Sequence, residues 1–252
     1  MKRLLLALAA TTFLTQCAVA EEQQSQLILR NAIQPQMAIS EHGIFVTAIQ
    51  RGDIVVLKSI DGGLSFSKPV KAIDVQGRAK GGMHRGPRIG IDGDGRLTVT
   101  APVTFDEAEY EKRYPTAELY FVQSKDGGDT WSKPMQVNSV AKKAPEALHW
   151  MVVGDGGVAR VAWLDMRGRK RGQNIFFSEI ANGIVSENVQ IAQTVCECCA
   201  PGLAIDEKGK CVLAYREGGE ADSREIFAQF SSPSGGFQER RQVNTVKTME
   251  DG

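Results

Sequence analysis

A short motif that occurs twice constrains the fold more than any other feature of the sequence. The copies are SIDGGLSFSKP, from Ser59 to Pro69, and SKDGGDTWSKP, from Ser124 to Pro134. An Asp followed by two glycines favours a tight turn, because the Asp side chain bonds nearby backbone and glycine adopts positive φ at no steric cost. The motif therefore predicts a structural hairpin turn, closed by an aromatic side chain, and a repeated architecture. The turn residues are Ser59, Asp61, Gly62, Gly63 and Phe66 in the first copy, and Ser124, Asp126, Gly127, Gly128 and Trp131 in the second.

Alignment of the chain on this motif reveals four units, each with four short segments rich in alternating or β-branched residues. First segments are QMAISEHG, PRIGIDGDG, HWMVVGDGG and PGLAIDEKG, and second segments are IFVTAIQ, RLTVTAPV, VARVAWLD and KCVLAYRE. Third segments are DIVVLKS, ELYFVQS, NIFFSEI and EIFAQFS, and fourth segments are PVKAI, PMQVN, NVQIA and RQVN. Successive four-stranded antiparallel units are typical of a β-propeller. The alternative is a β-sandwich, which has no reason to repeat one hairpin in successive sheets. We predict an all-β propeller whose blades are four-stranded antiparallel sheets.

The N-terminus has the layout of a cleaved secretory signal, with two cations, an apolar run and Ala-Val-Ala before Glu21. We predict a signal peptide at residues 1–20 and a propeller domain at 21–252, in the periplasm or secreted. A lipoprotein anchored at Cys17 is the less favoured alternative, because the preceding residue is not small. No other apolar run approaches the about 20 residues that a membrane span requires.

Composition excludes one large class of partners. The chain has 30 basic and 30 acidic residues and a formal net charge of zero, without a long basic stripe. Nucleic acid is therefore not an expected partner. No motif calls for a cofactor, and we expect none. The oligomeric state stays open.

The repeated motif resembles the Asp box, or BNR repeat, of sialidases and their relatives. LDMRG and AYRE resemble the second-strand ends of those propellers, and CECC resembles a Cys-x-Cys-Cys segment of some bacterial exported sialidase-like proteins. The resemblance covers essentially all of the mature chain. It implies six blades, so we expect more blades than the four seen and a domain that is incomplete at the C-terminal TVKTMEDG. Asp boxes indicate the fold rather than the activity, because they also occur in propellers that hydrolyse nothing.

In such a propeller the loops between blades and the loops from second to third strands share one face, opposite the Asp-box turns. We expect a ligand on that face. Its loops carry a set of charged and imidazole side chains, namely His84, Arg85, Arg88, Glu146, His149, Asp165, Arg167, Arg216, Glu217 and Arg224.

The resemblance implies a carboxylate-binding site, because sialidases hold the sialic acid carboxylate with three arginines. Arg88, Arg167 and Arg216 are the candidates, since a guanidinium binds a carboxylate through two parallel hydrogen bonds. Asp165 or Glu217 is the candidate acid/base. Further candidate substrate-binding residues are Arg85, His84 and His149.

Each of these candidates also has a structural interpretation. Arg167 can form an ion pair with Asp165, and Arg216 and Glu217 can cap a hairpin. Two departures from the family bear on catalysis. The segment AIQPQMAI has Gln where the family has Arg, and none of the four tyrosines lies where the family nucleophile is expected.

Cys196, Cys198 and Cys199 place three thiols within four residues. In an oxidising compartment they are expected to form disulfides or to remain as unpaired structural thiols. The alternative is a soft metal site for Cu(I) or Zn(II). Cys211 begins the following strand and is expected to lie away from Cys199.

Three functions follow from these observations. The leading hypothesis is an exported glycoside hydrolase that acts on terminal sialic acid or a related acidic sugar. The second is a propeller that binds a carbohydrate or a protein without catalysis. The third is a metal-handling protein that uses the cysteine segment.

Overall fold

The computed structural model describes residues 26–79, 81–82, 84–113, 116–145, 148–154, 156–169, 171–218, 225–232 and 236–244. The predicted signal peptide, Glu146, Arg224 and the segment 245–252 lie outside the described residues. No helix of this described part is long and apolar enough to cross a membrane.

The described residues form four antiparallel sheets, one for each repeat unit. The first sheet contains β1 (Ala32–Ser40), β2 (Gly43–Gln50), β3 (Asp53–Ser59) and β4 (Val70–Ile73). The second contains β5 (Arg88–Ile91), β6 (Leu97–Val103), β7 (Glu118–Ser124) and β8 (Met135–Gln136), with the short helix α1 (Glu107–Tyr110) between β6 and β7. The third contains β9 (His149–Val153), β10 (Ala159–Asp165), β11 (Gln173–Ala181), β12 (Ile184–Val185) and β13 (Val189–Val195). The fourth contains β14 (Gly202–Ile205), β15 (Cys211–Arg216), β16 (Ile226–Phe230) and β17 (Arg241–Gln242).

Each sheet is a simple meander in which consecutive strands pair. The third sheet differs, since β12 and β13 both pair with β11 and add a fifth strand. The first strands of successive sheets pack side by side, β1 against β5, β5 against β9, and β9 against β14. These four strands are therefore the innermost strands of blades arranged around an axis. The predicted all-β propeller of four-stranded antiparallel blades is confirmed.

The hydrophobic core is divided into layers between neighbouring blades. Strand β6 shows the cause, because all of its residues are buried and its two faces pack on different blades. Val99, Ala101 and Val103 of β6 face blade 1, while Thr100 on its other face contacts His149 of blade 3. Representative core residues are Ile54, Val56 and Val99 between blades 1 and 2, Phe121, Met151 and Trp163 between blades 2 and 3, and Leu164, Leu213 and Tyr215 between blades 3 and 4.

The repeated motif forms the turn between the third and fourth strands of blades 1 and 2. In the second copy Ser124 Oγ accepts the Gly128 amide at 2.8 Å and donates to Asp126 Oδ1 at 2.8 Å. Gly127 and Gly128 have φ values of 69° and 88°, which the absence of a side chain permits. The Trp131 indole donates to Gly128 O at 3.1 Å and its ring packs against the core between blades 1 and 2. The motif is thus a closed hairpin turn, as its sequence predicts.

The first copy repeats this bonding. Ser59 Oγ accepts the Gly63 amide at 2.9 Å and donates to Asp61 Oδ1 at 2.7 Å. Hydrogen bonds from the Ser65 side chain, the Ser65 backbone and Ser59 hold the pKa of Asp61 far below its ordinary value. The carboxylate stays ionised as the centre of the turn. Asp126 has a depressed pKa for the same reason, with Thr130 in place of Ser65.

Candidate functional site

The strand meander separates the loops into two faces of the propeller. On one face the loop between β4 and β5 contacts the turn between β2 and β3, where the Ala79 amide donates to Gly52 O at 2.8 Å. On the other face the β1–β2 turn contacts the β5–β6 turn through His42 Nε2 and Gly93 O, 3.1 Å apart. We call the first the upper face and the second, which carries the Asp-box turns, the lower face. The upper face contains the candidate ligand residues.

Arg88 begins β5, the innermost strand of blade 2, and its side chain is buried. Its guanidinium donates to three backbone carbonyls of its own loop, those of His84 at 3.0 Å, Pro87 at 3.0 Å and Gly86 at 3.4 Å. Its Nε is buried without a hydrogen-bond partner, and no described carboxylate forms an ion pair with it. Burial lowers the pKa of Arg88 by removing water from the charge. A buried cation that has only carbonyl partners is favourably placed to bind an anion.

Two residues of β9 complete the surroundings of Arg88. The Arg88 guanidinium lies over the Trp150 ring, 4.8 Å from its centroid. His149 is buried, and its Nε2 lies 3.0 Å from Thr100 Oγ1 on β6. The innermost strands of blades 2 and 3 therefore join a cation, an aromatic ring and an imidazole at their upper ends. We call Arg88, His149 and Trp150 the axial site.

The loop before Arg88 packs against blade 1 at a point that sequence analysis did not assign. A Cβ added at Gly86 would lie 2.6 Å from Gln34 Cβ. Gln34 occupies a β-bulge of β1 and has a φ of 56°. Gln34 belongs to the segment AIQPQMAI, in which the sequence comparison with sialidases expects an Arg. This segment therefore lies beside the loop of Arg88. His84, which is exposed, also has a positive φ, and Arg85 is half-buried with a pKa lowered by burial.

Arg167 and Asp165 form a closed ion pair. Asp165 is fully buried, and its carboxylate accepts the Trp163 indole at 3.1 Å and the Arg167 amide at 2.8 Å. Arg167 Nε and Nη2 lie 3.0 and 2.9 Å from the two Asp165 oxygens. The remaining Arg167 donors reach Ser139 and Asn188 at 3.0 and 3.2 Å, and Phe176 lies beneath the guanidinium. None of the hydrogen bonds and ion pairs of Asp165 and Arg167 within the described residues reaches Arg88 or Arg216.

Arg216 ends β15, Glu217 follows it, and the two side chains have different partners. Arg216 Nη1 donates to Cys199 Sγ at 3.4 Å, and its Nε is buried without a partner. Glu217 forms an ion pair with Arg240 at 2.6 Å and keeps 21% of its side chain exposed. Glu217 is therefore the more accessible of the two candidate acid/base residues.

The cysteine segment occupies the upper-face loop between blades 3 and 4. All four cysteines are free thiols, with Cys196 buried, Cys198 exposed and Cys199 half-buried. Burial raises the pKa of Cys199 to about 12, and the Cys196 interaction adds to the shift. Burial also acts to raise the pKa of Cys196, but interactions with Cys199, Cys198 and Arg216 outweigh it and lower the value. Cys211 lies on β15 outside this group, as expected.

The lower face contains clefts of a different character. One of about 360 Å³ lies between the turns of blades 3 and 4 and is lined by Gly154, Arg160 and Asp206. Another of about 470 Å³ lies beside the second Asp box and includes Trp131. Both lie across the molecule from the axial site. Neither contains a candidate ligand residue from the sequence.

Comparison with solved structures identifies propellers of glycoside hydrolases. An intramolecular trans-sialidase from Ruminococcus gnavus in complex with oseltamivir carboxylate is similar with a TM-score of 0.55 and 11% identity, over 86% of this chain and 71% of that chain. An α-L-arabinanase of Penicillium chrysogenum complexed with arabinobiose has a TM-score of 0.53 and 14% identity, over 86% of this chain and 67% of that chain. A family-43 glycoside hydrolase from a capybara gut metagenome has a TM-score of 0.52 and 14% identity, over 83% of this chain.

The matched chains are longer than this one. The chain spans 41% of the capybara gut protein and 44% of a family-43 protein from Bacillus licheniformis. At these identities the likeness shows the fold. No protein-family model matches the sequence, and no curated protein sequence matches it.

Proposed function

We propose that this chain belongs to an exported glycoside hydrolase propeller that acts on terminal sialic acid or a related acidic sugar. The observation that carries the proposal is Arg88, a buried guanidinium with carbonyl partners and an unpartnered Nε. Burying a charge without a counter-charge costs several kcal/mol, and removing one partner of a buried ion pair destabilises a protein by about 3–5 kcal/mol. A ligand carboxylate would recover much of this cost, because its two oxygens match the guanidinium fork.

The other residues of the axial site are of types that bind sugars. Trp150 places an aromatic ring beside Arg88, and aromatic rings pack on the apolar faces of ligands while polar groups bind their edges. His149, His84 and Arg85 are the further candidate ligands on the same face. One similar structure, the Ruminococcus gnavus trans-sialidase, was solved with a ligand named as a carboxylate. The preference for an acidic sugar rests on Arg88 rather than on this likeness, because a similarly related arabinanase was solved with the neutral sugar arabinobiose.

Catalysis would require a carboxyl group with access to the ligand. Glu217 is the better candidate, because Asp165 is fully buried and both of its oxygens are bonded to Arg167. The Tyr215 hydroxyl donates to Gln229 at 3.0 Å, and burial raises its pKa, so it is a poor nucleophile. Both candidate carboxylates form ion pairs, Asp165 with Arg167 and Glu217 with Arg240, which favours a second candidate function, a propeller that binds an acidic sugar without hydrolysing it.

Calorimetric titration of N-acetylneuraminic acid into the full chain tests the proposal. The wild type should bind, and Arg88→Ala should lose about 2 kcal/mol or more, roughly 30-fold in affinity, because the carboxylate loses a partner it cannot replace. Arg88→Lys should recover part of the loss, since it keeps the charge without the fork. Arg160→Ala is the matched control, because Arg160 pairs with Glu179 and lines a lower-face cleft.

Arabinobiose and a chromogenic sialoside complete the experiment. Turnover of the sialoside that is lost in Glu217→Gln, with N-acetylneuraminic acid still bound, would support the hydrolase. Binding without turnover would support the second candidate function. Equal affinities of the wild type and a folded Arg88→Ala, or tighter binding of neutral arabinobiose, would contradict the acidic-sugar proposal.

A further inference from the structure

The three thiols of the cysteine segment converge on one point. Cys196, Cys198 and Cys199 each offer a sulfur, and all three sulfurs lie within 4.8 Å of one another. Cys196 Sγ lies 2.9 Å from Cys199 Sγ and 3.5 Å from Cys198 Sγ. A trigonal ion with metal–sulfur bonds of about 2.3 Å separates its sulfurs by about 4 Å, so an ion would bind all three after the Cys196–Cys199 pair opens by about 1 Å.

Backbone contacts between the end of blade 3 and the end of β15 in blade 4 hold the cysteine loop in place. The Cys196 amide donates to Arg216 O at 3.0 Å, and Val195 forms a β-bridge with Glu217. A turn at residues 197–198 then returns the chain so that Cys199 faces Cys196. A Cβ at Gly218 would lie 2.6 Å from Val195 O, so the two segments are in close contact. The thiols are therefore positioned by backbone contacts before any ion binds.

A fixed cation lies beside the sulfurs. Arg216 Nη1 donates to Cys199 Sγ at 3.4 Å, and its Nε is buried with no acceptor. At the rim, Arg169 lies 3.5 Å from the Glu197 carboxylate. Three thiolates around a monovalent ion carry two net negative charges, and the Arg216 guanidinium offsets part of them. A donor that fixes and neutralises a ligand is a usual feature of the surroundings of metal ligands.

We propose that Cys196, Cys198 and Cys199 bind one soft, monovalent cation, with Cu(I) as the physiological class. Thiolates select Cu(I) and Zn(II) among the common metals. Zn(II) takes four ligands in structural sites, and no other His, Cys, Asp or Glu ligand atom of the described residues joins the three sulfurs. Cu(I) is satisfied by three sulfurs. Binding displaces thiol protons to solvent and involves no change in oxidation state.

A disulfide between Cys196 and Cys199 is the competing use of the same sulfurs. It would employ two thiols and leave Cys198 without a role. The cation site requires all three. Cys198 is exposed, so its replacement by serine removes a ligand with little effect on packing, and it separates the two uses.

The test is an anaerobic titration of the reduced full chain with Cu(I), with bicinchoninate as the competing chelator. We expect one equivalent to bind. Cys196→Ser, Cys198→Ser and Cys199→Ser should each weaken binding more than about 100-fold, since even residues around the ligands contribute about 10–100-fold. Cys211→Ser is the matched control, because that thiol is buried on β15 outside the group, and it should bind like the wild type.

Three results would overturn the proposal. They are no stoichiometric Cu(I) binding by the reduced, folded wild type, wild-type affinity in Cys198→Ser, or an equal loss in Cys211→Ser. Should Cys196→Ser fail to fold, Cys198→Ser decides alone. The measurement uses no sugar, so its outcome is independent of the function proposed above.

Discussion

Ser124 is the residue whose replacement tests the role of the Asp-box turn most directly. Its side chain is 1% exposed, accepts the Gly128 amide and donates to Asp126, both at 2.8 Å. Alanine removes these two hydrogen bonds and a longer third one, which Ser124 Oγ accepts from the Asp126 amide at 3.4 Å, and it leaves the methyl-sized part of the side chain in place. We expect Ser124→Ala to unfold more easily because the buried Gly128 amide is left without an acceptor.

The expected loss follows from the two bonds. A buried donor without a partner costs about 1–3 kcal/mol, while Asp126 keeps the Thr130 amide at 2.9 Å and so preserves part of the turn. We therefore expect a decrease of about 2 kcal/mol in the free energy of unfolding. In a domain of this size each kcal/mol of lost stability lowers the melting temperature by about 2–4 °C, so we expect a decrease of about 4–8 °C.

Urea denaturation of the full chain, with a thermal scan, measures this change. Ser59→Ala is the matched variant, because Ser59 is 2% exposed and makes the same two bonds in blade 1. It should lose a similar free energy. Ser132→Ala is the control, since that exposed hydroxyl accepts the Gln123 amide near water, and it should stay within about 0.5 kcal/mol of the wild type.

Two outcomes would refute this reasoning. A Ser124→Ala variant within about 0.5 kcal/mol of the wild type would show that the buried serine is not essential to the turn. Weaker binding of N-acetylneuraminic acid by the folded variant would contradict the placement of the Asp boxes on the face opposite the axial site.

Two further predictions concern blade packing and acid stability. Gly90→Ala should destabilise the protein by about 1–3 kcal/mol in urea denaturation, because a Cβ there would overlap the Val153 side chain on the neighbouring inner strand. Gly156→Ala is the control and should be neutral, because the space around Gly156 is open. Hydrogen bonds, chiefly from Lys112, lower the pKa of Glu109 from 4.5 to about 2. The stabilisation of the folded state by ionised Glu109 is therefore complete above about pH 4.5 and is lost as the pH falls toward 2. The melting temperature of Glu109→Gln should vary less than that of the wild type over this interval, and an unchanged pH profile would contradict the assignment.

The blades could be predicted from sequence because each strand carries its own signal. DIVVLKS and ELYFVQS match β3 and β7 residue for residue, since β-branched and aromatic residues in such runs favour strands between packed blades. The turns were predictable for the same reason, because all their bonding partners lie within a few residues. Strand β12, helix α1 and the bulge at Gln34 were not predicted. The bulge packs against Gly86 of the next blade, which no local pattern reveals. Strand β12 and helix α1 do have local signals, an Asn182-Gly183 turn and an Asp106 cap, but the elements are too short to stand out in the sequence.

The sequence left open which partners the three arginines of the predicted carboxylate clamp would bind. Arg88, Arg167 and Arg216 share a residue type and a place at the upper ends of strands, and sequence treats them alike. Packing gives them different partners, which are backbone carbonyls for Arg88, a buried carboxylate for Arg167 and a thiol sulfur for Arg216. The carbonyls belong to Arg88's own loop, Asp165 lies two residues before Arg167, and Cys199 belongs to the loop between blades 3 and 4. A sequence therefore predicts that a cation will be present on a face, whereas its partner is decided by local backbone geometry for Arg88 and Arg167 and by the segment packed beside it for Arg216.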